Sequence, residues 1–140
     1  MTIAPSNTPP TILLAPSLPS DNWTSIDIYA DRTERALSAH PAGLNVRRLT
    51  PFGAACSTKL VRALVRRTTY PELVNRALRS AGPAALVHIM DQFYSYLLPS
   101  NHHGVVTCHD LAEFHVTELS SGQLRRWMRR VRCMRRASLV

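Results

Sequence analysis

No run of eighteen apolar residues occurs in this chain of 140, so no helix built from it should cross a bilayer. Met1–Pro10 contains neither Lys nor Arg, and prolines interrupt its one apolar stretch. It does not read as a secretory leader, and a disordered tail over 1–10 is expected. Glycine is scarce, five in all, and both glycine-rich phosphate fingerprints, G-x-G-x-x-G and G-x-x-x-x-G-K, are missing. Cys56, Cys108 and Cys133 are odd in number and widely spaced, which excludes a disulfide framework and fits a reducing compartment. A cytoplasmic location is therefore expected. Lysine is nearly absent: Lys59 stands against sixteen arginines.

Against those absences stand ordinary bulk properties. Apolar residues make up 45% and charged residues 19% of a chain long enough for one domain with a real core. The net charge of +8 is concentrated, with seven arginines between Arg125 and Arg136. A positive field of that kind attracts phosphates, anionic lipid or nucleic acid.

The apolar pattern orders the chain. Thr11–Ala15 (TILLA), ended by Pro16, reads as a buried strand, and the glycine-free Pro16–Asn22 as a loop. Ser25–Ala39 has helical spacing, with Thr24 or Ser25 as cap and Asp27 in the first turn. Leu44–Leu49 alternates as a second strand. Ser57–Arg79 is helical, with Leu60, Leu64, Leu73 and Leu78 on its apolar face and Pro71 expected to break it in two. Ala84–Met90 and His103–Cys108 read as buried strands, with a short helix over Tyr94–Leu98 between them. His109–Glu118 reads as loop and Leu119–Ala137 as a long amphipathic helix, after which Ser138-Leu139-Val140 resembles the start of another strand. Apolar strands alternating with helices predict an α/β fold, a Rossmann-like parallel sheet flanked by helices and incomplete at its C-terminus. Ligands of such sheets bind at the carboxyl ends of the strands. Pro16–Trp23, Asp91–Tyr94 and His109–Phe114 occupy that edge.

His109 is the residue there best suited to proton transfer or to holding a hydroxyl, with Asp110 or another acid to fix its tautomer. The alternative is a surface histidine beside a helix-capping Asp. His88, inside its apolar run, is expected to be a core histidine satisfied by backbone, and Asp91 to reach a ligand or cap the following turn. Without glycines, the first loop can meet a phosphate only through the next helix start and Ser20, Thr24 or Ser25. His102, His103, Cys108, His109 and His115 match no zinc spacing, so no metal site is expected. In the last helix, Leu124, Trp127, Met128, Val131 and Met134 share a face expected to pack on the sheet. Arg125, Arg126, Arg129, Arg130, Arg132, Arg135 and Arg136 then form either a solvated rim or a contact to an anionic membrane at its inner face. Nucleic acid is disfavoured, because no aromatics interleave the arginines.

Taken together, Ala85–Leu98 (ALVHIMDQFYSYLL) followed by Gly104–Leu111 (GVVTCHDL) resembles the N-terminal domain of GT-B glycosyltransferases of family 4. Ile12–Ala30 is similar to their first strand, loop and helix, Arg67–Pro71 (RTTYP) to a segment between early elements, and Met134–Ser138 to the helix before a further strand. The resemblance spans about Thr11–Val140 in the family's order. It implies the acceptor-side domain, 11–140, of a retaining enzyme that moves a sugar from a nucleotide diphosphate sugar to a hydroxyl acceptor. It implies a role for His109, with Asp110 beside it, in positioning the acceptor or the reacting sugar. It places substrate at Ser17, Trp23, Thr24 and Ser25 after the first strand, and at Asp91 and Tyr94 after the third. The family's E-x₇-E pair, which belongs to a donor-binding second domain, is not in this chain. The chain is therefore expected to be inactive alone, to need a separate donor-binding domain, and to hold no cofactor. A truncated reading frame accounts for the same absence. The competing expectation is a basic binding module or remnant acting through its arginine-rich helix.

Overall fold

Four short segments become strands because each has its polar backbone satisfied by a parallel neighbour; three are apolar and largely buried, whereas the edge strand Asn45–Arg48 (NVRR) alternates between exposed and half-buried side chains. The computed structural model describes residues 9–51, 58–109 and 120–138. The strands are β1 (Thr11–Ala15), β2 (Asn45–Arg48), β3 (Leu86–Ile89) and β4 (Gly104–Val106). They form one parallel sheet in the order β2-β1-β3-β4. Helices α1 (Thr24–Ser38), α2 (Lys59–Leu64), α3 (Tyr70–Ala81) and α4 (Ser121–Met134) flank it, with 3₁₀ turns at Pro19–Asp21 and Gln92–Leu97. The fold is the expected α/β, Rossmann-like parallel sheet. Among the described residues no helix is long and apolar enough to cross a membrane.

Strand alternation divides the core. Leu13, Ala15, Val87, Ile89 and Val106 belong to the larger cluster, with Tyr70, Val74 and Leu78 of α3. Leu14 and Met90 belong to the smaller one, with Ala30 of α1. His88 alternates with Val87 and Ile89 and so falls on the α1 side of β3. The α1 side is thinly covered, which is what leaves room for polar groups there.

Three local expectations need correction. Neither Thr24 nor Ser25 caps α1. Asn22 takes a left-handed conformation (φ 56°, ψ 36°), and the Trp23 carbonyl accepts the first helical N–H groups, from Ile26 at 2.9 Å and Asp27 at 3.1 Å. Asn tolerates that conformation better than most residues, so a loop without glycine still turns sharply.

Nor does Pro71 split the second helical region. Lys59 to Ala81 runs on without a gap, through a π turn at Val65–Thr69 in which the Tyr70 N–H donates to the Val65 carbonyl. Proline has no N–H for the Arg67 carbonyl, and its ring would crowd that oxygen in a regular α turn; widening the turn removes both conflicts. The extra residue also rotates the preceding turns out of register. Leu60 (82% exposed) and Leu64 (58% exposed) therefore do not continue the buried stripe of Tyr70, Val74, Ala77 and Leu78.

The third correction concerns α4, whose apolar face is only partly covered. The helix packs on Gln92–Leu97, where Ser95 Oγ meets the Arg130 carbonyl at 3.5 Å. Met134 reaches the core, but Leu124 and Met128 stay about half exposed. A capping box, Ser120 with Gln123, starts the helix. Beyond it, the Ser138 N–H donates to the Gly104 carbonyl at 2.8 Å.

Candidate functional site

In the order β2-β1-β3-β4 the chain leaves β1 toward β2 on one side and returns to β3 on the other. The carboxyl ends of β1 and β3 therefore diverge into a topological switch point, where sheets of this kind open a crevice. Ser17 and Asp91 occupy its base. Asp91 is fully buried; it accepts from Ser17 Oγ at 2.8 Å and from the Phe93 N–H at 2.9 Å, capping the 3₁₀ turn. Burial raises its pKa, and the bonds from Phe93 and Ser17 only partly offset that. Both side chains are spent on tying the β1 loop to the β3 loop.

On the α1 side, His109 lies at the edge of the sheet. Its Nε2 is 2.7 Å from the Met90 carbonyl, and its backbone N–H donates to Gln92 Oε1 at 3.1 Å. A carbonyl only accepts, so Nε2 carries a hydrogen, and in the neutral tautomer this leaves the lone pair on Nδ1. A backbone carbonyl thus sets the tautomer, where an acid was expected; Asp110 lies outside the described residues. The Tyr29 ring meets His109 edge-on, with centroids 4.9 Å apart. Tyr29 Oη, Thr107 Oγ1 and His88 Nε2 form a chain with spacings of 3.2 and 2.7 Å. His88 is buried as expected, but its partner is this hydroxyl rather than backbone.

Burial, then the nearby His109, holds His88 below the ordinary imidazole value of 6.5. The fold therefore favours the neutral ring, and the unfolded chain binds more protons. The linked stability is fully present above the unfolded value and is lost as pH falls through the folded one. We expect the fall in melting temperature between about pH 7 and about pH 5 to be shallower in His88→Gln than in the parent. Parallel slopes for the two proteins would refute this.

On the opposite side of the switch point a cleft of about 520 Å³ opens. Trp23 and Phe93 form part of its wall, with ring centroids 5.1 Å apart. Tyr94 and Tyr96, from the same 3₁₀ turn, complete the aromatic part. Arg66 and Arg67 enter from the π turn, and Arg126, Arg129 and Arg130 from α4, with the Arg130 guanidinium 3.9 Å above the Phe93 ring. The junction is held by Asp21, whose carboxylate accepts from Tyr94 Oη at 2.6 Å and pairs with Arg66. Arg66 Nε also donates to Tyr94 Oη at 3.1 Å, and Tyr96 Oη donates to the Arg66 carbonyl at 3.0 Å. Burial and then Asp21 raise the Tyr94 pKa far above the usual phenol value, so it remains a donor. Burial likewise lifts Tyr96 to about 12.

Of the residues expected at the site, Ser17, Asp91, Trp23, Tyr94 and His109 converge on this edge. Thr24 and Ser25 are exposed on the first turn of α1 and do not line the cleft. Sequence reasoning missed Tyr29 and Arg66, and gave no role of their own to Thr107, to Phe93 within the edge segment Asp91–Tyr94, or to Tyr96. For Phe93 and Tyr96 the signal was the aromatic run FYSY around Tyr94. Comparison of the chain with protein families, curated proteins and solved structures found no match.

Proposed function

We propose that the chain is the acceptor-side domain of a retaining glycosyltransferase, one that moves a sugar from a nucleotide diphosphate sugar to a hydroxyl acceptor when a second domain supplies the donor site. The observation that carries the reading is His109, in the T-C-H-D step on which the resemblance rests. It stands at the carboxyl edge of a parallel sheet with Nε2–H bonded to the Met90 carbonyl. A neutral ring so fixed offers Nδ1 to a substrate hydroxyl without a tautomer change. Tyr29 and the Met90 carbonyl hold the ring's orientation, the part of positioning that a flexible loop would otherwise lose.

Two results are expected. The purified chain should show no transfer with a panel of UDP- and GDP-sugars, because its residues include no donor-domain E-x₇-E pair. It should still bind a glycoside acceptor from a panel followed by NMR, and His109→Ala should weaken that binding by about tenfold, the worth of one good polar contact. Robust turnover by the chain alone would contradict the half-site reading. Glycoside binding indifferent to His109, or no glycoside binding, would contradict the acceptor assignment.

A further inference from the structure

The cleft on the other side of the switch point plays no part in that reading, and it has a chemistry of its own. Arg66 is neutralised by Asp21. Arg67, Arg126 and Arg129 have no carboxylate or hydrogen-bond partner among the described residues. Folding brings these like charges from two distant segments to one concavity, an arrangement that repels itself until an anion arrives. Guanidinium groups pair with phosphate through two parallel hydrogen bonds, and several together favour a ligand with more than one negative charge. The same lining includes the rings of Trp23 and Phe93, one face of Phe93 being covered by the Arg130 guanidinium, and the aromatic surface left over suits the face of a flat ring. The volume of about 520 Å³ lies in the range of small-molecule sites, about 300–1,000 Å³.

The arginines of α4 also divide in a telling way. Arg126, Arg129 and Arg130 line the cleft, whereas Arg125, Arg132, Arg135 and Arg136 do not. A helix acting as a general basic surface on lipid or nucleic acid would draw on its arginines without regard to the cleft. We propose that the cleft binds a small phosphorylated ligand with a flat ring, its phosphates on Arg67, Arg126 and Arg129 and its ring against Trp23 and Phe93.

ADP, pyrophosphate and adenosine are suitable probes, with tryptophan fluorescence and calorimetry as readouts. ADP should saturate one site per chain. Adenosine and pyrophosphate should each bind at least about tenfold more weakly, since each lacks half of the contacts. The double variant R126Q/R129Q should lose about tenfold or more in ADP affinity, and R125Q/R132Q should stay within about twofold. All four arginines are exposed, so circular dichroism should show both variants folded. Failure of ADP to saturate, pyrophosphate binding as tightly as ADP, or equal losses in the two double variants would each overturn the proposal. So would tighter binding to anionic vesicles or to a single-stranded oligonucleotide, reduced equally by both pairs, which would make α4 a general basic surface. A chain that binds ADP but no glycoside keeps this site and loses the transferase assignment.

Discussion

Asp91→Ala should destabilise the domain by about 1–4 kcal/mol, because it strips the acceptor from one buried and one part-buried donor, a buried one costing about 1–3 kcal/mol when unsatisfied. The donors are the Ser17 hydroxyl and the Phe93 N–H, both bonded to the fully buried Asp91. Asp91→Asn should cost less than about 1 kcal/mol, since its Oδ1 still accepts from Phe93 and its Nδ2 donates to Ser17 Oγ. The pH dependence separates charge from hydrogen bonding. Burial raises the Asp91 pKa above the ordinary 3.8, so the fold favours the neutral acid. That favourable contribution is present below the unfolded value and is lost as pH rises through the folded one. Denaturant titrations of parent and Asn variant should therefore differ in slope across the acid range, with the parent losing stability as pH rises and the variant losing less. Equal stabilities of Ala and Asn variants would show that the carboxylate does not tie the two loops together.

Gly104→Ala should cost about 1–3 kcal/mol by overpacking, and Gly104→Val more. A Cβ at Gly104 would lie 2.1 Å from Leu98 Cδ1, with the Val87 carbonyl at 3.1 Å and Val87 Cγ1 at 3.3 Å. Leu98 is itself buried at the C-terminal cap of the 3₁₀ turn, so its Cδ1 can make room only by shifting within a close-packed core. A double-mutant cycle assigns the cause: in a Leu98→Ala background the cost of Gly104→Ala should shrink by about 1 kcal/mol or more. An unchanged cost in both backgrounds would place the strain in the backbone instead. The effect should reach the cleft, because Leu98 ends the segment that carries Phe93, Tyr94 and Tyr96.

The two arguments share a feature: the β1 loop, the 3₁₀ turn after β3, and the π turn are held as one unit. Asp91 joins the first two, Asp21 joins all three through Tyr94 and Arg66, and Tyr70 Oη donates to the Pro16 carbonyl at 2.6 Å. Short strands alone would leave these loops loosely placed. The buried hydrogen bonds between them fix the edge on which His109 and the arginine cleft sit.

By itself the sequence determined the alternation of strands and helices, because continuous apolar runs of strand length and helical periodicity are local signals. It also marked the carboxyl edge, and His109 upon it, since those follow from strand direction. The shape of that edge came from tertiary structure. Pro71 announced a break, but whether a proline ends a helix or widens it to a π turn depends on what the freed carbonyls meet, here the Tyr96 hydroxyl at the Arg66 carbonyl. The arginines of α4 had no aromatics between them in sequence, which argued against ring recognition; packing brought Trp23, Phe93 and Tyr96 to them from other segments. Charge and periodicity are properties of neighbours along the chain, while a cleft is made by residues as far apart as Trp23 and Arg130. That is why the fold class and its ligand edge were legible, and why the division of that edge into a histidine side and an arginine side was decided only by the strand order and the loops it brings together.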